Sequence, residues 1–302
     1  MKYLTLLFIT FLSFCAAQKM IETIQFAPYD FEIKGFDWMP TPYQFSQYVQ
    51  DSVLQQKGKE FAAWQYSYIG NHQNTLTAWD QGMTPRKSLS DSLIRAFKGY
   101  EATPAIPYIL ERTKDYPITI INEAHHMPQH RVFTTRLLKA LYAQGYRHLG
   151  MEALFNSPIS DSLMVANGYP VLTNGFYLIE PQFGNLVRTA QKIGFQLFGY
   201  ESFGHADGKE REINQANNIK DYLAKHPNEK ILIHCGFAHG AKGNYGGKWE
   251  KTMAGRLEEF TGIEPFSIDQ TNYSEKSDRS FENPYFQLVG VCLLYTSPSP
   301  RD

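Results

Sequence analysis

The chain has 302 residues and a formal net charge of −1, from 29 basic and 30 acidic side chains. This balance argues against a nucleic-acid partner, because proteins that bind nucleic acids usually present a basic face. The length suits one large domain or two small ones.

The first 17 residues predict a secretory signal peptide. Lys2 precedes an apolar run over residues 4–14, and small residues at the end of the segment lead to Ala17. The run is too short to span a bilayer as a helix, so no transmembrane helix is expected in the mature chain. We expect cleavage after Ala17 and export to the periplasm or the medium. Lipid attachment at Cys15 is less favoured, because a bulky phenylalanine precedes it.

Residues 292–302 resemble the translation of a sequencing adapter, not the end of a protein. They read Cys-Leu-Leu-Tyr-Thr-Ser-Pro-Ser-Pro-Arg-Asp. We therefore expect the native part to stop near Val291, truncated within a strand predicted at 286–291. With both termini set aside, Cys235 is the only cysteine. No internal disulfide can then form, and the fold must rest on its hydrophobic core.

Residues 18–115 predict a helical segment that packs on the domain that follows. A helix start is predicted at Thr41, and apolar residues continue from it at helical spacing. Phe61, Trp64 and Tyr68 extend this pattern as an aromatic stripe, whose simplest role is packing against a core. Further helices are predicted at 88–96 and 104–113.

Residues 116–291 alternate between strand and helix patterns. The predicted strands are 118–121, 148–151, 196–200, 230–233 and 265–268. The predicted helices between and after them are 128–144, 157–167, 181–193, 209–225 and 249–260. This order predicts an α/β fold with a mostly parallel central sheet flanked by helices, to which the N-terminal helical segment is added.

Histidines and carboxylates stand at the carboxyl ends of four predicted strands. In chain order they are Glu123, His125, His126, Glu152, Glu201, His234 and His239. The carboxyl ends of parallel strands face one crevice, where ligands bind in open α/β sheets. We therefore predict that these side chains meet in one site.

Residue types alone leave the chemistry of this site open. Imidazole and carboxylate groups can bind a metal, or a carboxylate can orient a histidine that acts as a base. Simpler interpretations also stand: His126 and His130 as surface or capping residues, and Glu152 as a partner of Arg131 or Arg147. His72 and His148 show no partner pattern, and His226, just before Pro227, is interpreted as a helix end. The chain lacks HExxH, GxSxG and CxxC motifs, which argues against zincins, serine hydrolases and redox proteins.

The spacing of the strand-end residues resembles one known superfamily. Asn122-Glu-Ala-His125, Gly145-Tyr146, Glu152 and Gly236-Phe-Ala-His239 resemble the motifs of erythromycin esterases, ChaN-type haem-binding lipoproteins and TraB/Tiki proteins. The stretch 211–219 is similar to their arginine-acidic helix. Asn122 stands where these families have glycine. The ChaN-like and Tiki-like spacing selects His125, and the esterase-like spacing selects His126; the sequence up to residue 131 favours His125.

The resemblance implies an exported hydrolase of an ester or amide bond with a small-molecule or peptide substrate. A histidine base would be positioned by Glu123 or Glu152, and Arg131 or Arg211 would stabilise the oxyanion. A divalent metal, zinc or manganese, would alternatively activate the water. The candidate ligands for that metal are His125, His239, Glu152 and Glu201.

The same resemblance leaves open a binding protein without catalysis. A ChaN-like haem or iron carrier would use a tyrosine or histidine as axial ligand, with Tyr200 as first candidate and Tyr177 and Tyr245 as others. A third possibility is a scaffold that keeps the fold without chemistry.

Overall fold

The computed structural model describes residues 59–101, 103–202 and 208–289. The predicted signal peptide, the helix start at Thr41 and the adapter-like segment lie outside these ranges. A domain boundary near residue 116 stays a prediction.

The centre of the molecule is a five-stranded sheet in which all neighbouring strands run parallel. In chain order the strands are β1 (Ile118–Glu123), β2 (Tyr146–Met151), β3 (Gln196–Gly199), β4 (Lys230–Gly236) and β5 (Phe266–Ile268). Their order across the sheet is β3-β2-β4-β1-β5. The predicted parallel sheet is thus confirmed, and β4 lies between β1 and β2.

Helices precede the sheet in the chain and connect its strands. The α-helices of the described ranges are α1 (Lys59–Tyr68), α2 (His72–Trp79), α3 (Asp91–Lys98), α4 (Ala105–Arg112), α5 (Pro128–Ala143), α6 (Pro158–Asn167), α7 (Pro181–Ile193), α8 (Gly208–Lys225), α9 (Met253–Thr261) and α10 (Pro284–Val289). Short 3-10 turns occur at Thr113–Asp115, Leu172–Asn174, Phe237–Gly240, Gly247–Trp249 and Arg279–Phe281. None of the helices within the described ranges has the length and apolar character needed to cross a bilayer.

Helices cover both faces of the sheet. One face packs against α4, α5, α6 and α7, and the other packs against α8 and α9. Successive strand residues alternate between the two cores: Ile120 and Ile233 face α8 and α9, whereas Ile121 and Leu232 face the other layer. Because both faces are covered, all six residues of β1 are buried, and β4 contains the unbroken apolar run 231–233.

The segment after the sheet differs from its prediction. Residues 286–291 were predicted to form a strand, but Pro284–Val289 form α10. The side chain of Asn283 accepts a hydrogen bond from the backbone N–H of Tyr285, and Pro284 suits the first position of a helix. The ring of Tyr285 packs on Phe97 of α3, with ring centroids 5.3 Å apart. Local helix-start signals therefore outweigh the β-forming residues of this short run.

Candidate functional site

The carboxyl edge of the sheet brings most of the predicted site residues together. Glu123 ends β1, Glu152 follows β2, Glu201 lies just after β3, and His239 lies in the turn after β4. All four side chains are buried. The crevice therefore holds three carboxylates, whose charges have to be compensated by neighbouring groups.

Arg131 of α5 compensates Glu123. Its Nε donates to Oε2 of Glu123 at 2.6 Å, and its Nη2 donates to Oε1 at 2.8 Å. The remaining donor, Nη1, binds Glu180 at 2.9 Å. Burial alone would favour the neutral acid, but the charge of Arg131 holds the pKa of Glu123 well below its usual value. Arg131 is itself fully buried, so it positions Glu123 and does not reach a substrate.

His125 is oriented by Glu123. Its Nδ1 lies 3.0 Å from Oε1 of Glu123. An ionised carboxylate can only accept, so Nδ1 carries the proton and Nε2 of the neutral ring is the free acceptor. The ring lies over Gly236, where a Cβ atom would come within 2.6 Å of Nε2 and 3.4 Å of Oε2 of Glu152. Only glycine therefore leaves room for His125 beside Glu152.

Aromatic side chains surround the His125 ring. Tyr177 stacks on it with centroids 4.7 Å apart, and Phe237 contacts it edge-on at 4.9 Å. Trp64 of α1 contacts both His125 and Tyr177. The predicted aromatic stripe of the N-terminal helices thus contributes Trp64 to the cover of this crevice. The His125 side chain keeps 15% of its surface exposed, so solvent still reaches it.

Arg211 of α8 compensates the other two carboxylates. Its Nη2 donates to Oε1 of Glu152 at 2.7 Å and also to Glu201, and its Nε donates to Glu201 at 3.0 Å. The backbone N–H of Gly236 donates to Oε2 of Glu152 at 2.5 Å. Burial would raise the pKa of Glu152, but His239, His125 and Arg211 lower it to about 2.

His239 closes the crevice from the β4 side. Its Nε2 accepts a hydrogen bond from Nη1 of Arg211 at 3.0 Å. Its Nδ1 lies 2.7 Å from Oε1 of Glu212, at ion-pair distance but not aligned as a hydrogen bond. Burial opposes protonation, yet the carboxylates of Glu152 and Glu212 raise the pKa of His239. His239 is therefore a second histidine held by a buried glutamate.

The guanidinium of Arg211 lies among the metal ligands predicted for this crevice. The guanidinium already occupies oxygen atoms of Glu152 and Glu201 and the Nε2 lone pair of His239. A cation in that place repels a second cation and uses the lone pairs that a metal would need. The donor set as arranged therefore does not fit a metal ion.

His126 lies apart from the crevice. It stacks on Trp79 with centroids 4.0 Å apart, and its ring centroid lies 6.4 Å from that of Phe237, whose centroid is 4.9 Å from that of His125. There it lines a pocket of about 640 Å³ together with Asn122 and other residues. Burial lowers its pKa to about 2, and neither ring nitrogen has a hydrogen-bond partner in the described part of the chain. Between the two candidate histidines, the structure therefore puts His125 beside Glu123 and Glu152.

The residues proposed as haem ligands lie in three different places. The hydroxyl of Tyr200 is buried and donates to the carbonyl of His234 at 2.9 Å. Tyr177 lies on His125, and Tyr245 is half exposed at the rim of the pocket that contains His126. Tyr200 is therefore already engaged in the core and does not face an open cavity.

Three residues of the site were not assigned roles from the sequence. Glu180 caps α7, since it accepts from the N–H groups of Gln182 and Phe183, and also pairs with Arg131. Glu212 directly follows Arg211 and reaches His239. His234 of β4 lies 3.5 Å from Oε2 of Glu123. His234 belongs to the strand-end group that the sequence predicts for this site, whereas Glu180 and Glu212 resemble ordinary residues of a helix start and a helix face.

A separate group at the opposite edge of the sheet could hold a metal ion. His148, His226 and Glu229 each offer one ligand atom, and these atoms lie within 4.8 Å of one another. His148, which shows no partner pattern in the sequence, thus has Glu229 and Tyr222 as partners. His226 does lie at a helix end, as predicted, but it also belongs to this group. Residue 148 is far from the other two in sequence, and only the pairing of β2 with β4 brings them together.

Comparison with known proteins gives distant structural likenesses. No family model matches the chain, and no curated protein does. The type III effector HopBA1 has 13% identity and a TM-score of 0.41, over 56% of this chain and 85% of that one. A bacterial protein toxin has 14% identity and a TM-score of 0.41, over 75% of this chain and 47% of that one. RRSP, a MARTX toxin effector domain from Vibrio vulnificus CMCP6, has 16% identity and a TM-score of 0.37, over 76% of this chain and 50% of that one. The chain spans about half the length of the last two, and likenesses this weak leave its function to be argued from the site.

Proposed function

We propose that the protein is an exported hydrolase of an ester or amide bond, with His125 as its general base. The observation that carries the proposal is the orientation of His125: Glu123 holds Nδ1, and Nε2 lies over Gly236 beside Glu152. A histidine fixed in one tautomer by a buried carboxylate, with its other nitrogen exposed to a crevice, is the arrangement that general-base catalysis uses.

In the proposed reaction, His125 activates water. Nε2 takes a proton from the water molecule while its oxygen bonds to the carbonyl carbon of the substrate. The resulting oxyanion lies near Arg211, the partly exposed cation of the crevice, whose side chain keeps 30% of its surface accessible. The bond to the leaving group then breaks, and the proton held by His125 passes to the departing alcohol or amine. The step needs no metal ion in this crevice.

Arg131 acts in this proposal through Glu123 and His125 and not on the substrate itself. Arg131 donates two hydrogen bonds to the carboxylate of Glu123 and one to the backbone carbonyl of His125. It therefore fixes both the carboxylate that orients the base and the backbone that carries it. An ionised Glu123 also stabilises the imidazolium that forms when His125 takes a proton. Arg131 is thus a positioning residue.

The surroundings of His125 favour a substrate with an apolar or aromatic part. Trp64, Tyr177 and Phe237 present rings to the base and restrict water around it. Such walls suit a small molecule or the side chain of a peptide, and they strengthen the electrostatic contacts inside the crevice.

The test is hydrolysis of a panel of 4-nitrophenyl esters and peptide amides by the full chain and by His125→Ala/His239→Ala. We expect the double variant to lose about 10²- to 10⁴-fold in kcat/KM, the usual contribution of a positioned base. His126→Ala is the matched control, because it removes a neighbouring histidine that lies outside the crevice, and it should keep its activity. Hydrolysis that survives in the double variant, or that depends on His126, would contradict the proposal.

A further inference from the structure

The amino-terminal edge of the sheet carries a cluster that the proposed hydrolysis does not use. His148 is the third residue of β2, Glu229 directly precedes β4, and His226 directly follows α8. His148 pairs with Ile231 in the parallel register of β2 and β4. This amino-edge cluster, His148, His226 and Glu229, lies at the end of the strands opposite to the crevice.

The ligand atoms of the amino-edge cluster converge on one point. Nε2 of His148 contacts the carboxylate of Glu229, and Nδ1 of His226 lies 3.9 Å from Oε2 of Glu229. The rings of His148 and His226 have centroids 4.3 Å apart. One atom from each residue thus lies within 4.8 Å of the others. Small rotations of the partly exposed His226 and Glu229 side chains would bring these atoms to the separation of ligands around a tetrahedral ion, whose bonds are about 2.0–2.2 Å long.

Tyr222 of α8 holds the two imidazoles in place. Its hydroxyl lies 2.9 Å from Nδ1 of His148, and its ring stacks on His226 at 4.5 Å. When Nδ1 of His148 donates to this hydroxyl, Nε2 keeps its lone pair toward Glu229. A hydrogen bond on the outer nitrogen is the usual support of a metal-binding histidine. On its other side Tyr222 is stacked on Phe198 at 3.6 Å, so the support is itself packed into the core.

We propose that His148, His226 and Glu229 form a binding site for a divalent transition metal of the zinc class. Two imidazoles and one carboxylate match the nitrogen and oxygen ligands of zinc, whereas calcium and magnesium require oxygen ligands. Three protein ligands leave a fourth position for water. The side chain of His148 is fully buried, whereas His226 and Glu229 are 28% and 45% exposed, so an ion can enter from solvent.

The proposed ion joins β2, the end of α8 and the turn into β4. These elements are separate in sequence, so the unfolded chain does not hold the three ligands together. Binding therefore stabilises the native state.

The experiment is a zinc titration of the full chain after removal of metal with a chelator, followed by calorimetry and by thermal unfolding. Cobalt(II), added in place of zinc, reports ligand geometry through its visible absorption. We expect one equivalent of zinc and a higher Tm with zinc present. His226→Ala and Glu229→Gln should each weaken zinc binding by more than about 100-fold, since loss of an outer support alone costs about 10- to 100-fold.

Two controls separate this site from other histidines. His72→Ala removes a histidine that pairs with Glu275 at 2.9 Å, and it should leave zinc binding unchanged. The crevice variant His125→Ala/His239→Ala should also keep the full equivalent of zinc. The proposal is overturned if the unmodified chain takes up no zinc, if His226→Ala binds it as tightly, or if the equivalent is lost only in the crevice variant.

Discussion

The two edges of the sheet both gather histidine and glutamate, but they differ in what compensates the carboxylates. At the carboxyl edge, guanidinium groups hold the carboxylates: Arg131 holds Glu123, and Arg211 holds Glu152 and Glu201. At the amino edge, the carboxylate of Glu229 contacts the imidazole of His148. Carboxylates whose oxygens are already hydrogen-bonded to a guanidinium can orient a base, whereas a partly exposed carboxylate whose contact is an imidazole can receive a metal ion. The same residue types therefore serve different chemistry.

The two edges also differ in how deeply their charged side chains are buried. Glu123 and Glu180 keep 2% of their side-chain surface exposed, and Arg131 keeps none. At the amino edge Glu229 is about half exposed, so its interactions are screened by water. We therefore expect the charges of the carboxyl edge to have large effects on stability, and those of the amino edge to have effects that depend on added metal.

The largest expected effect on stability follows from removing the buried guanidinium. Arg131→Ala leaves Glu123 and Glu180 buried without a cation, which should lower the free energy of unfolding by about 3–5 kcal/mol. Lys114→Ala is the control, because Lys114 pairs with the exposed Glu111 and should cost less than about 1 kcal/mol. Urea unfolding of both variants measures the difference, and similar losses would remove the distinction between buried and exposed pairs.

The sequence predicts the carboxyl edge better than it predicts the pairs within it. The short, mainly apolar stretches 118–121 and 149–151 precede Glu123 and Glu152 and locate two strand ends, because the strands of a parallel sheet with both faces covered are rich in apolar residues. Glu180, by contrast, looks like an ordinary residue before a helix that begins with proline. Its contact with Arg131 depends on how α7 packs against α5, and no short-range sequence pattern predicts that packing.

The amino edge shows the same limit more clearly. His226 and Glu229 are three residues apart, but their partner His148 lies in another strand. The register of β2 against β4 brings them together, and register depends on packing across the whole sheet. Short-range patterns also failed at Pro284–Val289, where the cap at Asn283 outweighed β-forming residues.

The next effect concerns acid stability at the carboxyl edge. The pKa of Glu152 is lowered from 4.5 to about 2, so its stabilising contribution is complete above about pH 4.5 and is lost as the pH falls toward 2. This amounts to on the order of 3 kcal/mol. Glu152→Gln removes the titration, so the difference in unfolding free energy between the two proteins should shrink between pH 4.5 and 2. A constant difference over that range would show that Arg211 and Gly236 do not hold an ionised Glu152.

A smaller effect isolates the position of the base from its chemistry. In Gly236→Ala the new methyl group would meet the ring of His125, with Nε2 at 2.6 Å, although the backbone at residue 236 suits alanine. We expect displacement of the ring and a lower kcat/KM, together with a loss of about 1–3 kcal/mol in the free energy of unfolding from overpacking. Gly240→Ala is the control, because its new methyl group would come no closer than 3.3 Å to another atom, Cγ2 of Ile120. Equal activity in the two variants would mean that the ring of His125 need not lie over residue 236.

The smallest effect probes the amino edge without touching a proposed ligand. Tyr222→Phe keeps the stacking on Phe198 and His226 but removes the hydroxyl beside Nδ1 of His148. Zinc affinity should fall about tenfold, the lower end of the range for outer supports of metal ligands. Tyr108→Phe, at an exposed tyrosine of α4, should change nothing. If Tyr222→Phe lowers the stability of the metal-free protein but leaves zinc affinity intact, Tyr222 serves packing alone. If affinity falls while the metal-free stability holds, the amino edge orients its histidine for a metal, as the carboxyl edge orients His125 for a proton.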